Sequence, residues 1–179
     1  LFLFSQAVYF LALNTGMRAG EIWGLKAMDL SRDGYSISVR RQYNRVMNAF
    51  GQTKGKRARS VPCNEILRKE IFELVDRGSL KPDDTIFRTE TGKPVCHDNF
   101  ADRRFAQDLK AWGGRAIRFH DLRHTAATLM IANGVDIKTV KEICGHADIA
   151  TTMNYVHMLA GSVEKVARTF MVAPLTPQK

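Results

Sequence analysis

The chain of 179 residues has only three cysteines, Cys63, Cys96 and Cys144, with no C-x-x-C pair among them. An odd, widely spaced set cannot close a disulfide framework, and it reads as the cysteine usage of a reducing compartment. Proline is scarce, at five residues, and 45% of the chain is apolar against 25% charged. That balance excludes collagen-like, mucin-like and broadly disordered classes. Long hydrophobic runs are also missing: the longest, Leu1 to Leu13, is interrupted by Ser5, Gln6 and Tyr9. It falls short of the ~20 residues that cross a bilayer. No basic segment precedes it, so it does not read as a signal peptide. The first residue is Leu, inside a helical pattern, rather than Met, which reads as a piece of a longer protein. At this length one domain is expected, burying roughly 70% of its unfolded surface.

Negative charge is missing from one stretch in particular. The chain has 27 Lys+Arg against 18 Asp+Glu, a formal net charge of +9. Between Arg40 and Arg59 stand Arg40, Arg41, Arg45, Lys54, Lys56, Arg57 and Arg59, with no acidic residue among them. Such a run is either a solvated face or a surface that tracks phosphates, because basic residues that displace condensed counterions supply most sequence-independent affinity for nucleic acid. Tyr43 and Phe50 are too few to form a base-stacking platform.

Apolar periodicity predicts a helix through Leu3, Ala7, Phe10 and Leu11, a break at Asn14-Thr15-Gly16, and a second helix within Arg18 to Lys26. Ile37, Val39 and Val46 lie in a β-like run from Tyr35 to Val46, and Arg59 to Pro62 reads as a returning strand. Further helices are expected at Glu65 to Val75 behind Asn64, from near Asp98, at Asp121 to Ala132, Ile137 to Ile143, Ile149 to Met158 and Ser162 to Met171, with Gly134 and Gly145 as stops. A Pro-rich tail follows from Pro174 to Lys179. The fold class expected is α+β and mainly α, with a small three-stranded antiparallel sheet.

Several residues have chemical potential in this plan. His120 and Arg123 are three apart at a helix start and share a face. A guanidinium matches two phosphate oxygens at once, and a histidine moves protons near neutrality. Gly145-His146 closes one helix, and Tyr155 lies on the next. Arg18 follows the Thr15-Gly16 turn, with Glu21 three residues on to hold it. The segment Thr53 to Pro62 is a glycine-bearing basic turn entering a strand, from which a lysine could protonate a leaving oxygen or touch a phosphate. Zinc is an open alternative, since His120 and His124 are four apart and Cys144 and His146 could complete a set, although no H-E-x-x-H glutamate is present.

The order T-G-x-R-x-x-E, T-K…R-x-V-P, H-x-x-R-H-T, G-H and then a tyrosine nine residues on resembles the catalytic domain of tyrosine recombinases, the phage-type integrases. The resemblance runs from about Leu11 to His157, and by position it puts Arg18, Lys54, His120, Arg123, His146 and Tyr155 on the family's six active-site positions, with Glu21 supporting the first arginine. Cys144 stands where a leucine usually precedes Gly-His. Lys54 and Lys56 compete for the lysine role, and the distance back from Val61-Pro62 favours Lys54.

What the resemblance implies is DNA cutting and rejoining without a metal or cofactor. Tyr155 attacks a phosphodiester to form a 3′-phosphotyrosyl link, and His120 acts as its general base. Arg18 and Arg123 clamp the non-bridging oxygens, His146 adds a hydrogen bond, and Lys54 protonates the leaving 5′ oxygen. Arg40, Arg41, Arg45, Lys56, Arg57 and Arg59 are expected on DNA. The implied domain is 1–172, with 173–179 a flexible tail and an N-terminal arm and core-binding domain lying outside the chain. The implied partners are double-stranded DNA and further copies in a DNA-bound tetramer, tied together by the helix after Tyr155, with the isolated chain a monomer in the bacterial cytoplasm at the nucleoid. A type IB topoisomerase and a non-catalytic DNA-binding module are the alternatives.

Overall fold

The structure, a computed structural model, describes residues 2–44, 46–53 and 57–157. Arg45, Lys54 and Lys56 lie outside the described residues, as do the helix expected at Ser162 to Met171 and the tail.

Helix α1, Phe2–Thr15, is the spine. Ala7, Val8, Leu11 and Ala12 on it are almost fully buried, at the three- and four-residue spacing that lays an apolar stripe along one face. It packs on α3, Glu65–Arg77, and on α6, Asp121–Ala132. Gly16 ends α1 in the left-handed region at φ 63°, its amide bonded to the Ala12 carbonyl at 3.1 Å. A Cβ there would stand 2.8 Å from the Cys144 sulfur, so the turn needs glycine for both space and conformation.

The short helix α2, Ala19–Trp23, carries Trp23 into an aromatic cluster. Its indole meets Phe87 at 6.0 Å, Phe100 at 5.1 Å and Phe119 at 6.3 Å. Phe100 belongs to a helical run built from α4, His97–Asn99, a π-type stretch Phe100–Phe105, and α5, Ala106–Trp112. The start of α3 follows the sequence signal directly: Asn64 Oδ1 accepts from the Leu67 amide at 2.9 Å, the bond that an N-cap asparagine supplies. Helix α7, Ile137–Cys144, is capped in the same way by Asp136, and a final helix occupies 149–157.

The sheet differs from the three-stranded expectation. Strand β1, Ser36–Val39, pairs antiparallel with β4, Arg59–Pro62, while β2, Arg41–Asn44, pairs with β3, Ala49–Gln52. These are two separate two-stranded ladders. Ile37, Val39 and Val61 are buried and belong to the core, so the first ladder is fixed by apolar burial. The β2–β3 hairpin presents no fully buried side chain; Tyr43 packs against the rim of the core and meets Phe50 across the strands at 5.5 Å. The mainly helical α+β class stands. Among the described residues no helix is long and apolar enough to cross a membrane.

Candidate active site

Five of the six positions expected from sequence come together. Arg18, His120, Arg123, His146 and Tyr155 line one cleft of about 400 Å³, joined there by His124. A neighbouring cleft of about 840 Å³ shares Arg18, Gly145 and His146 and runs to Thr53, Arg57 and Arg59; Thr53 and Arg57 are the described residues on either side of 54–56, which include Lys54.

Each side chain is set by local structure. Arg18 is the N-cap residue of α2, and Glu21 reaches back to its amide, with Arg18 N to Glu21 Oε2 at 2.8 Å. This is the returning half of a capping box. The Arg18 guanidinium donates to Gly145 O at 2.8 Å and pairs with Glu21 Oε1 at 3.3 Å. Arg123 is 3% exposed, and its Nη1 donates to Gly16 O at 2.5 Å and to Cys144 O at 2.6 Å. Those two carbonyls aim the guanidinium, and its remaining N–H groups make no hydrogen bond with the described residues. Burial, then repulsion from Arg18, brings the Arg123 pKa down to about 10, which still leaves it charged at neutrality.

Gly145, at φ 69°, closes α7, with Gly145 N and His146 N both donating to Lys141 O, at 2.8 and 3.0 Å. This Schellman-type ending delivers His146 to the cleft. Its Nδ1 bonds Thr152 Oγ1 at 2.9 Å, and its Nε2 is buried with no partner among the described residues. A buried ring nitrogen without a partner is costly, and one lining an arginine-rich cleft suits an anionic oxygen. Burial, reinforced by Arg123 and Arg18, brings the imidazole down to about 4, so the ring is neutral at pH 7. An unfolded histidine titrates near ~6.5, so the unfolded chain binds the extra proton as pH falls from there to about 4. Folding stability must therefore fall across that window, by about 3 kcal/mol from this residue. His97 and His120 are likewise depressed, chiefly by burial, but they stand in any variant of His146. Thermal melts of wild type and His146→Asn between pH 7 and 4 are expected to converge, wild type losing several degrees more; parallel curves would refute the assignment.

Tyr155 is 5% exposed, packed with Ala127, Val140 and Cys144. Cys144, at the position where a leucine usually precedes Gly-His, is buried there as a packing residue. The phenol oxygen lies 2.5 Å from His124 Nδ1. Burial raises the phenol pKa, with Arg123 pulling the other way. His120, read as the general base, makes no hydrogen bond to the phenol; its ring stands edge-on to His124, with centroids 4.9 Å apart. The four residues weighed as zinc ligands are not gathered: His124 Nδ1 is on Tyr155, His146 Nδ1 is on Thr152, and among the described residues no group of three or more His, Cys, Asp or Glu is placed for a metal.

The basic stretch divides. Arg59 turns inward, its Nη1 and Nη2 on Glu21 Oε1 and Oε2 at 2.9 and 2.7 Å and its Nε on Ile143 O at 2.8 Å. Arg41 pairs with buried Asp29, which Arg40 approaches at 3.9 Å. Arg57 is exposed. Glu21 is wholly buried. Burial alone would raise its pKa, but the hydrogen bonds and charge of Arg59, with those of Arg18, bring it below the usual carboxylate range. Three side chains do other than the sequence implies: His124, a zinc candidate in sequence, meets the Tyr155 hydroxyl, and Arg41 and Arg59, both expected on DNA, close on Asp29 and Glu21.

The helical frame, the small paired strands and the Arg-His-Tyr cleft define the class of protein seen in tyrosine recombinase catalytic domains. The chain belongs to the phage integrase family, whose model matches residues 3–161. Curated relatives include a tyrosine recombinase XerC-like protein of Caldanaerobacter subterraneus subsp. tengcongensis, 28% identical over 179 residues covering 86% of this chain and 46% of the relative. Another is tyrosine recombinase XerC of Bacillus pumilus, 28% identical over 90% of this chain and 52% of the relative. The chain spans about half the length of these relatives. Among solved structures it is similar to XerA recombinase, with TM-score 0.73 and 27% identity over 96% of this chain and 59% of that one. The Tn1549 transposon integrase in complex with a circular intermediate DNA has TM-score 0.73 at 23% identity, covering 83% of this chain and 52% of that one. The catalytic domain of bacteriophage HP1 integrase has TM-score 0.59 at 22% identity, covering 96% of this chain and 84% of that one. The last two likenesses show the fold alone.

Proposed function

We propose that this chain is the catalytic domain of a site-specific recombinase that cuts and rejoins double-stranded DNA through a 3′-phosphotyrosyl intermediate. The observation that carries the reading is the convergence of Arg18, Arg123 and the unpartnered His146 Nε2 on the cleft that holds the Tyr155 hydroxyl. Three guanidiniums, those of Arg18, Arg59 and Arg123, are balanced here by one carboxylate, Glu21. The surplus positive charge suits a phosphodiester, whose non-bridging oxygens gain negative charge in the transition state. Preorganised donors of this kind contribute about 3 kcal/mol each.

Tyr155 Oη forms a bond to phosphorus as the bond to the 5′ oxygen breaks, so one difficult displacement becomes two matched ones. The phosphoester energy stays in the adduct, and no ATP is consumed. His146, its Nδ1 on Thr152, directs Nε2 to a phosphate oxygen. Lys54, which follows Thr53 in sequence, gives its proton to the leaving 5′ oxygen. Arg57 and Arg40, with Arg45 and Lys56, meet flanking phosphates, whereas Arg41 and Arg59 hold the fold. The relatives' names are those of recombinases, which supports recombination over topoisomerase-like relaxation. The site-selecting segments belong to the half of the relatives' length that this chain does not span, and residues 162–171 dock on a neighbouring copy in a DNA-bound tetramer at the bacterial nucleoid.

The test is covalent trapping. Duplexes carrying the DNA beside the parent gene, nicked at successive positions so that the cut end is lost, should yield a protein–DNA adduct that peptide mapping assigns to the Tyr155 peptide. Relaxation of any plasmid without site preference, or an adduct at another residue, would overturn the reading.

A further inference from the structure

We propose that His124, which stands outside the six family positions, is the catalytic residue that receives the Tyr155 phenol proton during strand cleavage. The inference rests on the recombinase reading of the same cleft.

Three observations carry it. First, His124 Nδ1 is 2.5 Å from the phenol oxygen, at the short end of hydrogen-bonding range, and it is the hydroxyl's hydrogen-bond partner among the described residues. Second, the other imidazoles are directed elsewhere. His146 lies nearly parallel to the Tyr155 ring, 17° between planes at 6.0 Å, with Nδ1 on Thr152. His120 meets the edge of His124 rather than the phenol. Third, Tyr155 as a residue is only 5% exposed, so an imidazole already bonded to its hydroxyl is better placed than bulk water to take the proton. A buried phenol whose pKa is raised by its surroundings needs an acceptor already in place.

The helix explains the placement. His120, Arg123 and His124 are spaced at i, i+3 and i+4 on α6 and share its cleft face, so one helical turn aims an arginine at the phosphate and an imidazole at the nucleophile. For Nδ1 to accept, the neutral ring must carry its hydrogen on Nε2. As the Tyr155 Oη–P bond forms and the P–O5′ bond breaks, the phenol proton passes to His124 Nδ1, giving imidazolium, while O5′ takes a proton from Lys54. Rejoining reverses both transfers: the incoming 5′ hydroxyl returns its proton to Lys54, and His124 returns the other to Tyr155. Net protonation is unchanged over a cycle, and the proton taken from the nucleophile stays in the cleft until the strand is sealed.

Chemical rescue tests this. His124→Ala opens space on the cleft, and trapping of the adduct on the nicked duplex is expected to slow about 10²-fold, the usual scale of a positioned base. Added imidazole should restore the rate in proportion to its concentration, whereas pyrazole, of the same shape but far less basic, should not. Wild-type rates in His124→Ala, or equal rescue by pyrazole, would overturn the proposal, the latter by reducing His124 to a filler of space. An independent measurement needs no activity. In ¹⁵N-histidine-labelled protein at pH 8, His124 Nδ1 should carry no hydrogen, and its resonance should shift in Tyr155→Phe. A protonated Nδ1, or no shift, would overturn the proposal even if wild type formed no adduct, an outcome that would by itself sink the recombinase reading instead.

Discussion

Tyr155→Phe is expected to abolish covalent trapping on nicked duplexes while leaving the protein folded and able to bind DNA. The substitution removes a single oxygen atom. The ring keeps its packing with Ala127, Val140 and Cys144 and its stack on His146, so the apolar contribution survives. The lost bond to His124 costs about 1 kcal/mol, a shift of roughly 2–4 °C in melting temperature for a domain of this size. Chemistry has no such reserve. Removing a nucleophile costs on the order of 10⁴-fold or more, because arginines that stabilise a transition state cannot replace the attacking atom. Gel-shift titration, adduct formation and thermal melting on the same preparation read the three quantities separately. An adduct in the Phe variant would place the nucleophile elsewhere.

Glu21→Gln is expected to be among the most destabilising single changes in the chain. Glu21 is the hub on which Arg59, from β4, and Arg18, from the entry to α2, both close, and through Arg59 Nε and Arg18 Nη2 the same cluster reaches the end of α7. Burial of that carboxylate is tolerable only because two guanidiniums compensate it. Neutralising it leaves Arg59, whose side chain is 12% exposed, with an uncompensated charge, and breaking such a pair typically costs 3–5 kcal/mol. At roughly 2–4 °C per kcal/mol, the melting temperature should drop by about 10 °C. Trapping should fall with it, since Arg18 loses its brace. The pH dependence gives the sign. The folded carboxyl is held below its unfolded value, so its stabilisation is fully present above about pH 4 to 5 and is lost as pH falls further. Wild type and variant should therefore differ most at neutrality and approach each other in acid. A Gln variant as stable as wild type at pH 7 would show that the cluster contributes nothing net.

Much of this site was legible before any coordinates, because the residue types and their order already carry it. Arg18 after a Thr-Gly turn, His120 and Arg123 on one helical face and His146 behind a glycine stop all stand in the cleft where that order implied. The helices were legible for a similar reason, since a cap such as Asn64 acts locally. What escaped was side-chain direction. Arg59 and Val61 are two apart on β4, and alternate residues on a strand point the same way. Val61 is core, so the same alternation turns Arg59 inward, a signal hidden by the surrounding run of positive charge. Strand β3 escaped because Ala49-Phe50-Gly51-Gln52 contains no β-branched residue and takes its register from the turn before it, where Asn48 adopts φ 47°. The His124 bond to Tyr155 joins residues 31 apart in sequence, and no local pattern encodes it.

The anchoring of Arg123 has a consequence for when activity can exist at all. One nitrogen of this guanidinium is held by the carbonyls of Gly16 and Cys144, 107 and 21 residues away in sequence. The first anchor ends the opening helix and the second ends the helix that presents His146. A nascent or partly unfolded chain has the tyrosine and every charge but not the aim. On the recombinase reading, this wiring ties strand cleavage to the folded domain, because the arginine is aimed only where the ends of both helices meet.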